Sequence, residues 1–367
     1  MSSKKHQKKR SGIWETVKND FRESEIKREV KSDLSETLDF YLTEEQKTDM
    51  KSMGWFKKLF FIPAWLLRIM FFKLTRTRRL LLALAIGLFL FSGNITFPNN
   101  IQLNAKSKFV SIIILLFILI LELKDKLIAV NELNAGRAVQ TAFMPQENPE
   151  ISGWSLWLYS EPANSVGGDM VDLIPIDETN YGITLGDVSG KELGAALYMV
   201  KLQSTIRALA SDFVSLSKLG SKVNNIFFRD SEPNRFATMV YISLKKDIGK
   251  LKILNAGHIP PIILSNGKLK EMKKGSPAIG IKSDSVYRED DLKLEKGEYL
   301  IVYSDGVSEA TNPEGDFFGT DKFKKALKEN DHLPPGKMGK NLISTVNSFV
   351  GNNKFYDDLS IVILRKE

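Results

Sequence analysis

The chain has 367 residues, 43% of them hydrophobic and 26% charged, with three histidines and no cysteine. Disulfides, thiol nucleophiles and thiolate metal sites are therefore excluded, and, since a cluster of three imidazoles would need every histidine including His6 of the basic tail, oxygen ligands are expected for any bound metal. The formal charge of +8 sits in one place: residues 51–79 carry eight basic residues and no acid, while the remainder is balanced. That pattern suits anionic lipid headgroups better than nucleic acid.

In chain order, Met1–Arg10 reads as a charged, disordered tail without the apolar core of a signal peptide. Apolar residues from Trp14 to Tyr41 recur at helical spacing and predict one or two amphipathic helices. Thr43 and Gln46 form a capping-box pattern, with Gly54 as a stop. Residues 55–74 are apolar but contain Pro63 and Arg68 and are basic at both ends, which predicts an interfacial helix rather than a crossing. Two apolar runs follow, at about 79–97 and 103–123, and predict a transmembrane hairpin with both chain ends in the cytoplasm. Residues 124–145 read as a helical linker ending at Met144-Pro145. The expected organisation is thus a cytoplasmic helical region 1–54, a membrane region 55–123, the linker 124–145 and a working domain 146–367.

Beyond the linker the texture changes. Strands are expected at Trp154–Tyr159, Met170–Ile176, Tyr181–Gly186, Thr238–Leu244, Leu251–Leu254, Glu298–Val302 and Leu359–Leu364. Helices are expected at Glu192–Ala210, Ser217–Phe228 and Lys322–Lys328. Hairpin-like joins such as Asp247-Ile248-Gly249 argue for antiparallel sheets with helices outside, an α+β arrangement.

Four acidic turns carry the chemistry: Gly167-Gly168-Asp169 with Asp172, Gly186-Asp187-Val188-Ser189-Gly190, Ser304-Asp305-Gly306, and Asp357-Asp358. Singly, each is an ordinary turn. Together, at strand ends, they are the donor set that a hard divalent cation requires, because carboxylates gathered without one repel each other.

These elements, with Asn131 to Pro145, Glu161-Pro162-Ala163, Asn255-Ala256-Gly257-His258 and Glu309-Ala310, resemble the PPM-type, protein phosphatase 2C-like serine/threonine phosphatases. The similarity is to their bacterial SpoIIE/RsbU-like branch and covers about residues 131–367. The resemblance implies an αββα sandwich of two antiparallel sheets flanked by helices, and two Mn²⁺ or Mg²⁺ ions that activate a water between them. By motif, Asp187 would bridge both ions with the Val188 carbonyl assisting, Asp169 would serve one, and Asp305 and Asp357 the other. Asp172 and Asp358 are second candidates. Ser189 stands where the eukaryotic branch has a histidine, and Glu192 where many relatives have a glycine.

The implied activity is hydrolysis of phosphoserine or phosphothreonine on a regulatory protein, such as an anti-sigma-antagonist-like domain in a partner-switching pathway. The expected partners are that phosphoprotein, a lipid bilayer and a second copy of the chain, docked through Lys124–Ala142; no nucleic acid is expected. Two alternatives stay open: a catalytically silent membrane scaffold and a two-metal hydrolase of small phosphoesters. His258 reads as a structural residue.

Overall fold

A computed structural model describes residues 43–90, 95–96, 102–103 and 106–367. The amphipathic helices expected before Thr43 lie outside the described residues. Two compact units divide the chain, Met1–Lys126 and Leu127–Glu367.

In the first unit, α1 (Glu44–Ser52) opens with the expected capping box, the Thr43 hydroxyl accepting from Gln46 N and the Gln46 side chain accepting from Thr43 N. Helix α2 spans Trp55–Lys73. Helix α3 (Arg76–Leu90) pairs antiparallel with the start of α4 (Lys106–Phe143): the buried Ser111 hydroxyl donates to Ala85 O at 2.7 Å, and Arg78 bonds Glu122 and Asp125 at 2.6 Å each.

The expected transmembrane hairpin needs correction. Among the described residues no helix is long and apolar enough to cross a membrane. Among the described residues helix α3 covers Arg76–Leu90, and Ile95–Thr96 (β1) pairs with Gln102–Leu103 (β2). In α4 the uncharged run between Lys108 and Glu122 is thirteen residues, about 20 Å of helix against a hydrocarbon core of about 30 Å. Helix α4 also continues without a break through the segment expected as a separate linker.

The second unit is built on two antiparallel sheets. One has the order β10-β9-β12-β13-β4-β3, the other β11-β8-β7-β6-β5. The strands are β3 (Glu150–Ile151), β4 (Trp154–Glu161), β5 (Asp169–Pro175), β6 (Asn180–Val188), β7 (Ala237–Lys245), β8 (Ile248–Ala256), β9 (Ile262–Ser265), β10 (Lys268–Glu271), β11 (Asp290–Lys293), β12 (Tyr299–Tyr303) and β13 (Leu359–Lys366). Alternation along each strand divides the apolar residues between two faces. Leu156, Leu158, Val171, Ile183, Leu185, Val240, Val302 and Val362 fill the space between the sheets. Met170, Ile174 and Tyr241 face the other way, toward α5 (Glu192–Leu209) and α6 (Leu216–Asp230), and pack on Met199, Ile206, Leu219 and Phe227. Trp157, Ile301 and Ile363 likewise pack on α8 (Gly319–Glu329) and α9 (Pro335–Val350) through Phe323, Leu342 and Val346. The expected α+β arrangement of two antiparallel sheets with outer helices is therefore observed.

Helix α9 was not anticipated. Pro334, Pro335, Gly336 and Gly339 read as breakers, yet Pro335 occupies the first helical turn, where its missing N–H costs nothing. Gly339 lies against the fully buried Trp157 ring, which a Cβ there would overlap. The helix exists because it covers Trp157, an advantage no local propensity records.

Candidate active site

Strands β5 and β6 pair so that Asp169 stands opposite Asp187 and Asp172 opposite Thr184. Asp169 and Asp172 are three residues apart on one strand, so they point to opposite faces. Asp169 turns to the inter-sheet side with Val171. Asp172 turns toward α5, where Arg207 donates Nε and Nη2 to its two oxygens at 2.7 Å each. Asp172 is fully buried in that ion pair and is not brought to the other acids.

Asp305 opens the short turn α7 (Asp305–Ser308) directly after β12. Asp357 and Asp358 precede β13, the antiparallel neighbour of β12. The buried Ser304 fastens the two: its hydroxyl donates to Asp358 O at 3.1 Å and accepts from Ser360 N at 3.0 Å. The Asp358 carboxylate is engaged by the glycine loop, accepting from Ala163 N at 2.9 Å and Asp169 N at 3.2 Å. Gly167 must lack a side chain because a Cβ would overlap that carboxylate. At Gly168 a Cβ would stand 2.9 Å from the Val188 carbonyl and 3.2 Å from Asp187 Oδ1, so this glycine lets the loop close onto the end of β6.

The electrostatics follow from this crowding. Burial, then repulsion from Asp305, Asp357 and Asp358, pushes the Asp187 carboxyl up to about 7. Asp169 is raised well above the ordinary carboxylate range by burial and then by Asp187 and Asp358. Asp305 is raised by burial, Asp357 and Glu309. Burial also raises Asp358, although the amides of Ala163 and Asp169 oppose it. Asp169 Oδ2 is buried without a hydrogen-bond partner. Among the described residues no three acids or imidazoles already converge as a metal-holding group. The chemistry of the set nevertheless fits a hard divalent cation: the donors are all oxygen, one is orphaned, and the excess negative charge is what a cation relieves.

The structural reading of His258 is met, while its partners Thr238 and Tyr303 carried no signal in the sequence. His258 is buried; its Nε2 donates to Tyr303 O at 3.1 Å, so its Nδ1 accepts from the Thr238 hydroxyl at 2.9 Å. Thr238 faces Asp187 across β6 and β7, and Tyr303 lies two residues before Asp305. The imidazole thus ties the strand beside Asp187 in one sheet to the strand leading to Asp305 in the other. Burial lowers its pKa to about 4, so it stays neutral. Gln140, near the end of α4, exchanges two hydrogen bonds with Gly167 at 3.0 and 3.1 Å. Ser189 accepts from Phe236 N at 3.0 Å, so its hydroxyl serves the turn. Arg207 could not be foreseen, since nothing local joins it to a strand 35 residues earlier.

Comparison with known proteins bears on the family and the fold. The model of the family described as stage II sporulation protein E (SpoIIE) matches residues 177–367. The protein IcfG of Synechocystis sp. is 30% identical, over 54% of this chain and 36% of its own. The phosphoserine phosphatase RsbU of Bacillus subtilis is 24% identical, over 65% of this chain and 70% of its own. The chain therefore spans little more than a third of the length of IcfG. Among solved structures, the SiaA-PP2C domain of Pseudomonas aeruginosa matches with a TM-score of 0.56 at 19% identity, covering 66% of this chain and 99% of that domain, which speaks for the fold.

Proposed function

The chain belongs to the SpoIIE family, one of its relatives is the phosphoserine phosphatase RsbU, and from that premise we propose that it is a metal-dependent phosphatase of phosphoserine or phosphothreonine on a regulatory protein in a partner-switching pathway. The observation that carries this reading is the crowding of the half-buried Asp187, Asp305 and Asp357 beside the buried Asp169, whose Oδ2 has no hydrogen-bond partner. Asp169, Asp187 with the Val188 carbonyl, Asp305 and Asp357 would hold two divalent cations, Mn²⁺ or Mg²⁺. Asp358 serves instead as the clasp of the Gly167–Gly168 loop, and Asp172 as the partner of Arg207. When bound, such cations make hydroxide available from water near neutral pH and offset charge on a phosphoryl group. The residues of the chain hold the donors in place: Ser304 locks Asp305 to the start of β13, His258 joins the sheets, and the two glycines let the loop close.

Two further elements complete the proposal. Helix α4 leaves Leu127, Ile128 and Val130 exposed and reaches the active-site loop through Gln140, which supports pairing of two copies through Lys124–Ala142 with an effect on the site. Attachment to an anionic lipid surface, without a crossing, is supported by the basic run 51–79 and by exposed Leu84, Phe89, Ile112, Leu116 and Leu119 around the helical hairpin.

The test is hydrolysis by the full chain of a phosphoserine protein and an aryl phosphate, with Mn²⁺, with Mg²⁺ and with chelator, beside Asp305→Asn. Metal-dependent turnover lost in the variant supports the proposal. Turnover of the aryl phosphate alone would favour a hydrolase of small phosphoesters, and binding of Mn²⁺ without turnover of either substrate would favour a silent scaffold.

A further inference from the structure

Beside the carboxylates lies a second, larger recess that the reaction itself does not require. It is a groove of about 310 Å³ lined by Lys191, Glu309, Thr311, Phe317, Tyr356 and Asp357, among others. The smaller cleft that holds Asp187 and the Gly167–Gly168 loop shares Lys191, Tyr356 and Asp357 with it. The two thus adjoin across Lys191, Tyr356 and Asp357, and an occupant of the groove lies next to the carboxylate cluster.

The groove is unlike a leftover surface. Phe317 and Tyr356 are 61% and 71% exposed, while the adjacent Phe318 is buried in the core. The loop presenting Phe317 is held in shape: Asp316 N donates to Asn312 Oδ1 at 2.7 Å, Asn312 N to Asp316 O at 3.0 Å, and Gly315 N to Asn312 O at 3.0 Å. A phenyl ring kept in water on a tied loop gains nothing for the fold, since only burial of its apolar surface would stabilise it. Two such rings flanking one recess form a grip for an apolar side chain. Lys191 is exposed where groove and cleft meet and makes no ion pair among the described residues, so it is placed to meet a dianionic group entering the cleft. Glu309 in the same groove opposes further negative charge along the occupant.

We infer that this groove is the subsite for the polypeptide on either side of the phosphorylated serine, with an apolar neighbour gripped between Phe317 and Tyr356 and the phosphate met by Lys191. The inference rests on the phosphatase reading and adds what that reading leaves open, the sequence class of the substrate: an apolar residue next to the phosphoserine and no cluster of acids around it.

The full chain with Mn²⁺ would be given an aryl phosphate and two short phosphoserine peptides, one flanked by leucine on both sides and one by glycine. The leucine peptide is expected to be preferred by about tenfold or more in kcat/KM, chiefly through KM. In Phe317→Ser/Tyr356→Ser the preference should fall below about twofold, whereas Tyr356→Phe, which keeps the ring, should retain it. Both changed side chains are exposed, so the fold does not depend on them. Turnover of the aryl phosphate with no discrimination between the peptides, or discrimination that survives the double change, overturns the subsite. Absence of turnover of all three substrates overturns the phosphatase reading instead, and the subsite with it.

Discussion

Asp169 and Asp187 face each other as directly paired residues of β5 and β6; burial and then Asp187 raise the Asp169 carboxyl, while burial and then Asp305, Asp357 and Asp358 raise that of Asp187. Two acids in register across antiparallel strands normally avoid each other, because like charges opposite one another destabilise a sheet. Their persistence here, beside Asp305 and Asp357, separates this corner of the sandwich from ordinary strand ends.

The same geometry separates Asp187 from Asp172. Asp187→Asn should lower kcat/KM at least about a hundredfold and weaken Mn²⁺ binding measured by calorimetry. Asp172→Asn should leave Mn²⁺ affinity unchanged and lower thermal stability, because it strips Arg207 of its buried partner. Loss of Mn²⁺ affinity in Asp172→Asn would return that residue to the site.

Acidity supplies a second check. In the metal-free protein Asp187 titrates near 7 against about 4 in an unfolded chain. The folded state therefore binds more protons between those values, and its stability falls as pH rises through that window, by at most about 4 kcal/mol from this group. A divalent cation replaces those protons. The rise in Tm on adding Mn²⁺ should be clearly larger at pH 7.5 than at pH 5; an equal rise at both would contradict the repulsion argument.

His258 has the opposite sign. Its pKa is depressed to about 4, so the unfolded state binds more protons below about 6.5 and stability is lost as pH falls from there toward 4. In the stability difference between the native chain and His258→Gln, the carboxylate contributions cancel. That difference, measured by urea unfolding, should be largest near pH 7.5 and shrink by about 2 kcal/mol at pH 5. A difference independent of pH would mean that the imidazole is not held neutral between Thr238 and Tyr303.

Lipid attachment is tested by co-sedimentation of the full chain with vesicles. Phosphatidylserine-containing vesicles should bind it well at low salt and phosphatidylcholine vesicles less. Replacing the exposed Lys57 and Arg76 together with Lys58 by glutamine should reduce the difference, each basic residue near such a surface contributing about 1 kcal/mol. Equal binding to both vesicle types would remove the electrostatic part of the proposal.

What the residues determined by themselves was local and periodic. Alternating apolar strands from Trp154 onward, the capping box at Thr43 and the four acidic turns all follow from interactions within a few residues, where side-chain period and turn chemistry act directly. Length of apolar sequence misled where charge interrupted it: Glu122 closes the run that starts at Phe109 after thirteen residues. Tertiary structure alone decided which acids meet. Strand pairing put Asp187 against Asp169, the face of β5 sent Asp172 to Arg207, and the amides of Ala163 and Asp169 claimed Asp358. Helix α9 formed over Trp157 despite its glycines, and His258 found Thr238 and Tyr303 from two different sheets. Each of these depends on contacts between segments far apart in the chain, whose free energy appears only once the sheets have packed.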